Sequence, residues 1–327
     1  MSLSTSELNQ RINKLRKQKN AVILAHNYQI PEIQDIADYI GDSLGLAQQA
    51  AHTDAEVIVF CGVHFMAETA SIISPDKKVL IPDTEAGCSL ADTINADQLR
   101  KWKSEHPGAV VVSYVNTTAE VKAETDYCCT SSNAMEVVNS IPEEKEILFL
   151  PDKFLGTYIQ IMTGRELNIW DGACHVHEKI GDLNLGEKQE EYPNAEILIH
   201  PECGCSTSCM LKSAVYYDCK DAHIYSTGGM IDFVNNSDAR EFVVATETGI
   251  LHRMQKANPD KAFIAANEES VCEFMKMITL ENLHEALQYN QYEVKVPEEL
   301  AQKAKLPIER MLAIGREAPK EKKMAIK

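Results

Sequence analysis

The stretch Ala21-Val22-Ile23-Leu24-Ala25-His26-Asn27-Tyr28 decides the fold. Five apolar residues without polar alternation suit a parallel strand buried on both faces. The polar triplet that follows lies where such a strand ends. The pattern returns at Ala109-Val110-Val111-Val112-Ser113-Tyr114-Val115-Asn116 and at Ala195-Glu196-Ile197-Leu198-Ile199-His200-Pro201-Glu202. A cysteine closes each stretch: Cys88, Cys174 and Cys272 lie 62, 60 and 72 residues beyond His26, Tyr114 and His200. The recurrence describes a chain of three parts, each with one thiol and one set of polar groups. If the parts pack round a common axis, three soft ligands with an open fourth position suit a catalytic iron–sulfur cluster.

Other strand runs are expected at 56–61, 78–81, 126–130, 147–150, 223–226, 242–245 and 262–265, with helical patterns such as 33–40 and 44–51 between them. Strand–helix–strand alternation implies right-handed crossovers and parallel sheets, hence an α/β fold. Polar stretches at 102–108 and 186–194 mark cuts into units 1–102, 103–188 and 189–282. Closing helices in 283–327 are expected to pack with the first unit. Pro297 and Pro307 are read as helix starts, and the tail from Glu317 as loose and charged.

The 49 acidic against 32 basic residues argue against nucleic-acid binding, and an anionic substrate would need local donors rather than a basic field. No apolar run approaches a membrane span, and residues 1–20 read as a basic amphipathic helix rather than a signal peptide, so a cytoplasmic location is expected. Ten cysteines in such a setting point to metal or redox chemistry more than to a disulfide framework. Cys61 and Cys219 are read as small buried apolar residues.

In parallel sheets, ligands bind beyond the carboxyl ends of the strands. Three hydroxyl motifs fall there: Gly41-Asp42-Ser43, Thr130-Ser131-Ser132-Asn133 and Ser226-Thr227-Gly228-Gly229. Each alone reads as a helix cap; their recurrence beside the triplets suggests an anion site made of hydroxyls and helix N-termini. Cys88 and Cys174 follow glycine-containing loops, and Cys272 opens a helical stretch. A rival ligand set is Cys203, Cys205 and Cys209, joined by Cys219, as in a zinc site or sulfur carrier, although no standard zinc spacing is present. Cys205 and Cys209 could instead form a disulfide across a tight loop. The neighbours Cys128 and Cys129 should point to opposite faces of a strand. His26, His177 and His200 can each be a buried, hydrogen-bonded histidine. His200 with Glu202 can equally form a general acid–base pair, or the core of a zinc hydrolase.

The chain resembles the quinolinate synthase family from end to end. The resemblance rests on His26-Asn27-Tyr28-Gln29, Gly41-Asp42-Ser43, the segment from Phe60 to Ala70, Tyr114-Val115-Asn116-Thr117, Thr130-Ser131-Ser132, Phe149-Leu150-Pro151-Asp152, His200-Pro201-Glu202-Cys203 and Ser226-Thr227-Gly228. It implies three similar αβα domains about a pseudo-threefold axis, with a [4Fe–4S] cluster held by Cys88, Cys174 and Cys272. It implies condensation of iminoaspartate with dihydroxyacetone phosphate to quinolinate in NAD biosynthesis, with L-aspartate oxidase as the upstream enzyme. Substrate contacts would come from His26, Tyr28, Ser43, Tyr114, Asn116, Ser131, His177, His200, Glu202 and Thr227. Glu202 is the expected general base, His200 orients substrate, and Tyr28 and Tyr114 assist proton transfer. The segment between Cys203 and Ser226 is longer than in many members of the family, with the extra residues in the cysteine-rich stretch 204–217.

Overall fold

The strand–helix alternation closes into the same unit three times. The computed structural model describes residues 4–211 and 222–314. After helix α1 (Thr5–Gln18), the first repeat runs β1 (Ala21–His26), α2 (Pro31–Ile36), β2 (Tyr39–Gly41), α3 (Ser43–His52), β3 (Val57–Cys61), α4 (His64–Ile73) and β4 (Lys78–Leu80). Helix α5 (Ala96–Glu105) leads to β5 (Val110–Tyr114), α6 (Ala119–Lys122), β6 (Tyr127–Cys129), α7 (Ala134–Asn139), β7 (Ile147–Leu150), α8 (Lys153–Thr163) and β8 (Asn168–Ile169). Helix α9 (Asp182–Glu191) leads to β9 (Glu196–Ile199), α10 (Gly204–Met210), β10 (Ala222–Ile224), α11 (Thr227–Asn236), β11 (Glu241–Ala245), α12 (Ile250–Ala257) and β12 (Ala262–Ala265). The strand orders are β2-β1-β3-β4, β6-β5-β7-β8 and β10-β9-β11-β12, every pair parallel. The protein is thus α/β with three four-stranded parallel sheets of one topology, consistent with three similar αβα domains.

In each unit the first and third strands in chain order have apolar, buried middles because helices cover both faces. Leu24, Val59, Val112, Phe149, Leu198 and Val243 have essentially no exposed surface. Two strands were not expected. The helical spacing of 33–40 stops at Ile36, because Asp38 Oδ2 accepts the Ile23 amide at 2.8 Å and the Asp38 amide donates to Ile23 O at 2.9 Å. That pairing starts β2. Asp126 repeats it against Val111 (2.8 and 3.0 Å) at the start of β6. Strand β8 is too short and polar to show as an apolar run.

Helix α13 (Glu273–Lys276) precedes α14 (Leu280–Tyr289) and α15 (Glu298–Ala313). Pro297 is the N-cap residue of α15, but Pro307 lies inside that helix rather than starting one. Its buried ring joins the core face, offsetting the lost backbone bond. Helix α14 packs on α1 and β3 of the first unit as expected, but α15 bridges the first two units, lying against β6 and α6 of the second as well as α4 of the first. There Arg310 donates to Asp126 O at 2.7 Å and Asn133 to Met311 O at 3.0 Å. Cys61, Cys128 and Cys129 are buried as apolar residues. Cys219 and Glu317 lie outside the described residues. No helix among the described residues is long and apolar enough to cross a membrane.

Candidate active site

The carboxyl ends of the three sheets face one cavity, and all thirteen residues singled out from the sequence line it. Its anion-binding side is built from helix starts. Asp42 caps α3 by accepting the Gly45 amide at 2.8 Å, and Ser226 caps α11 by accepting that of Gly229 at 3.2 Å. Capping therefore falls on the residue before each expected hydroxyl. Ser43 and Thr227, at the first helical positions, line the cavity instead. In the second unit Asn133 is the cap residue, so Ser131 is not a cap; its Oγ lies 3.5 Å from His200 Nε2. The three motifs meet at Ser132, whose Oγ is 2.8 Å from Asp42 Oδ2 and 2.9 Å from Ser226 Oγ. Thr227 Oγ1 accepts from Asn27 at 3.0 Å, and Arg253 holds Asn27 by donating to its Oδ1 at 2.7 Å.

The acid–base groups form the buried end. The Tyr114 hydroxyl donates to Glu202 Oε1 in a short bond. His200 Nδ1 and His177 Nδ1 lie 3.5 and 3.7 Å from the same carboxylate, and the two imidazoles stack at 4.9 Å. The Tyr28 hydroxyl lies 2.6 Å from Thr246 Oγ1 and 3.2 Å from His177 Nε2. His26 stands edge-on to the Tyr28 ring at 4.6 Å. Burial, reinforced by the Asp152 charge, pushes Glu202 well above the carboxylate range, against the pull of the Tyr114 hydrogen bond. Burial also raises Tyr28 and Tyr114 and lowers His26 to about 4 and His177 to about 3, with His200 well down. Burial thus favours the neutral form of each of these groups and raises the Glu202 carboxyl toward the range in which a general base works. Asn116 Oδ1 and His177 Nδ1 are buried without a hydrogen-bond partner, which leaves them for a ligand.

The cysteines form the outer end and are only partly covered. Each opens a helical turn of the same form. The carbonyls of Cys88, Cys174 and Cys272 accept the amides of Asp92, Glu178 and Lys276, four residues on, at 3.1, 2.9 and 3.2 Å. Burial is the largest influence on each thiol, pushing Cys88 up to about 12, Cys272 up to about 11 and Cys174 well up. Opposing it are two backbone amides at each sulfur: those of Leu90 and Ala91, Val176 and His177, Phe274 and Met275. Amides at the start of a turn favour a thiolate, the form that binds metal. One Cys174, His177 and Glu202 ligand atom each lie within 4.8 Å of one another, the single such group among the described residues.

Among the described residues the rival cysteines form no metal site. Cys203 and Cys205 are thiols in no disulfide, buried in a small apolar cluster with Ile199 and Val243. Cys203 Sγ donates to Ala245 O at 3.3 Å. Cys209 is disulfide-bonded and Cys205 is not, so the suggested Cys205–Cys209 bridge is not formed. The segment places Glu202 toward the cavity and turns the next side chain away from it.

Several groups in and beside the site were missed. Glu247, fully buried, accepts the Cys272 amide at 3.1 Å and pairs with Lys276 at 2.8 Å; Lys276 also donates to Tyr28 O. A Cβ at Gly249 would stand 2.7 Å from both Lys276 Nζ and Tyr28 O, so only glycine fits there. Asp152 is raised to about 7, chiefly by burial, and has an unpartnered Oδ2. Glu247, Thr246 and Asp152 all follow the third strand of a unit. The polar-group-after-strand rule, applied beyond first strands, would have found them.

An α/β architecture whose strand ends gather thiols, imidazoles and a carboxylate in one cavity defines an enzyme fit to hold a metal cofactor. Residues 10–313 match the model of the quinolinate synthetase A protein family, and the chain belongs to that family of enzymes. It is 52% identical over 304 residues to the quinolinate synthase of Pyrobaculum aerophilum, covering 93% of this chain and 98% of that protein. Against the quinolinate synthase of Thermus thermophilus the identity is 52% over 308 residues, 94% of this chain and 97% of the relative. Against that of Mycobacterium tuberculosis it is 51% over 306 residues, 93% and 88%.

Proposed function

We propose that the chain is a transferase of NAD biosynthesis that condenses iminoaspartate with dihydroxyacetone phosphate, releasing quinolinate, phosphate and water. L-aspartate oxidase would supply iminoaspartate, and the reaction would take place in the cytoplasm. The observation that carries this reading is the meeting of three like cysteine turns with one buried acid–base group in a single cavity. Cys88, Cys174 and Cys272 would hold a [4Fe–4S] cluster, with domains 1–102 (joined by 283–327), 103–188 and 189–282 arranged about a pseudo-threefold axis. When bound, the cluster would supply a Lewis-acidic iron open to a substrate oxygen.

The remaining chemistry belongs to side chains. Ser43, Ser131 and Thr227, with the amides of nearby turns, hold the carboxylates and phosphate without a lysine. Asn116 and His26 orient the substrate. Glu202 takes and returns the protons that ring formation shifts; Tyr114 donates to it, and Tyr28 and His177 extend the same path. His200, stacked on His177, fixes the substrate against Glu202. Burial excludes water from the reactive intermediates.

Anaerobic incubation of the loaded protein with both substrates, followed by quantification of quinolinate and phosphate, tests the reading. Equal amounts of the two products are expected. Phosphate release without quinolinate would contradict it. A second reading, a single metal ion on Cys174, His177 and Glu202, is favoured by their close ligand atoms. It predicts one tightly held ion, no sulfide, and loss of that ion in Glu202→Gln.

A further inference from the structure

The residue after each cysteine has no part in the chemistry above, yet the three residues are joined. Ser89 Oγ lies 2.5 Å from His175 Nδ1, and His175 Nε2 lies 2.9 Å from Glu273 Oε2. Ser89 follows Cys88, His175 follows Cys174 and Glu273 follows Cys272. The like turns explain the meeting. Because each cysteine opens a turn of the same form, the next side chain leaves each turn at an equivalent position. The three arms come from three sheets and close on one another through a single imidazole. Phe274 stands edge-on to that imidazole at 6.1 Å.

Exposure fixes which side of the cavity this chain of bonds covers. The side chains of His177 and Glu202 at the inner end are each 4% exposed, whereas those of His175 and Glu273 are 31% and 59% exposed. The three cysteines, one residue before the clasp residues in each turn, are themselves partly covered. We propose that Ser89, His175 and Glu273 are positioning residues: a hydrogen-bonded clasp that ties the three ligand turns together and covers the outward face of the metal group. Partners just outside the ligands are what hold ligands in orientation, and their loss commonly weakens metal binding about 10- to 100-fold. The clasp does the same work between turns that are far apart in the chain. It also narrows the way by which water, oxygen or a chelator reaches iron.

This inference rests on the cluster reading, and its test separates the two. Glu273→Ala and Ser89→Ala remove one arm each at a partly exposed position, and Glu273→Gln keeps an acceptor for His175. Each protein is loaded anaerobically, and iron and sulfide per chain are measured first. The rate of iron transfer to a ferrous chelator, and the rate of bleaching in air, are then followed by absorbance. Both alanine variants should accept the cluster yet release iron about tenfold faster than the parent, with Glu273→Gln close to the parent. Parent-like release from both alanine variants would overturn the clasp while leaving the cluster reading intact. A parent protein that binds no iron and sulfide would overturn both. Equal acceleration in Glu273→Gln and Glu273→Ala would also count against the clasp, because the hydrogen-bond acceptor would then be irrelevant.

Discussion

Two sets of cysteines have opposite fates. Cys203, Cys205 and Cys209 are neighbours in the chain, yet two are sealed in an apolar cluster and the third is in a disulfide. Cys88, Cys174 and Cys272 are far apart in the chain, yet they open onto one cavity through turns of one form. Density in sequence is therefore a poor guide to convergence in space. Helix α10 carries its thiols round a short coil, and those on its inner side pack against β9 and β11. A repeated unit puts equivalent positions at equivalent places, so three copies of a turn can face one point.

The largest expected effect tests the distributed set. Cys88→Ser, Cys174→Ser and Cys272→Ser should each lose most bound iron and all useful turnover, since a hydroxyl is a poor ligand where thiolate is required. Full iron loading in any one would remove that cysteine from the set. Next comes Glu202→Gln, one residue before Cys203 but turned into the cavity. It should keep the metal group and lower turnover by about a hundredfold or more, the usual contribution of a positioned general base. Near-parent turnover at full loading would move the role to Tyr114.

Lys276→Met sharpens the comparison on the stability side. It would leave Glu247 buried without its partner, a loss of about 3–5 kcal/mol, and would loosen the turn that carries Cys272. Chemical denaturation checks the first and iron content the second; an unchanged denaturation midpoint would contradict a stabilising Glu247–Lys276 pair. Ser43→Ala, Ser131→Ala and Thr227→Ala should each weaken product binding about tenfold, as loss of a charge-assisted hydrogen bond does, while iron content stays at the parent level. Parent-like affinity in all three would reduce these hydroxyls to local structure. The smallest effect belongs to the local set: Cys205→Ser with Cys209→Ser should keep the iron–sulfur absorbance. Its loss under anaerobic conditions would erase the distinction between the two sets.

The parts of the fold that were legible in sequence are those set by burial on both faces. Strands such as β1, β5 and β9 show as unbroken apolar runs because helices cover both sides. Strand β2 was hidden because 33–40 has helical spacing, and only the Asp38 carboxylate, which binds a strand fifteen residues earlier in the chain, ends the helix. In the site, the hydroxyls and first-strand triplets were legible because strand ends are where α/β proteins expose polar groups. The division of labour between Asp42 and Ser43 was not, since either can cap a helix. The pair Glu247–Lys276 and the chain Ser89–His175–Glu273 were illegible for a different reason. The pair depends on a helical turn folding back onto a strand end of the same unit, the chain on the packing of separate sheets, and no local pattern encodes either meeting.

The central claim, that three like turns from three sheets hold one metal group, is tested most directly by iron and acid-labile sulfide analysis of the chain purified without oxygen. The account predicts about four irons and four sulfides per chain, with the brown absorbance that accompanies them. Zinc in place of iron, or a single metal ion without sulfide, would contradict it.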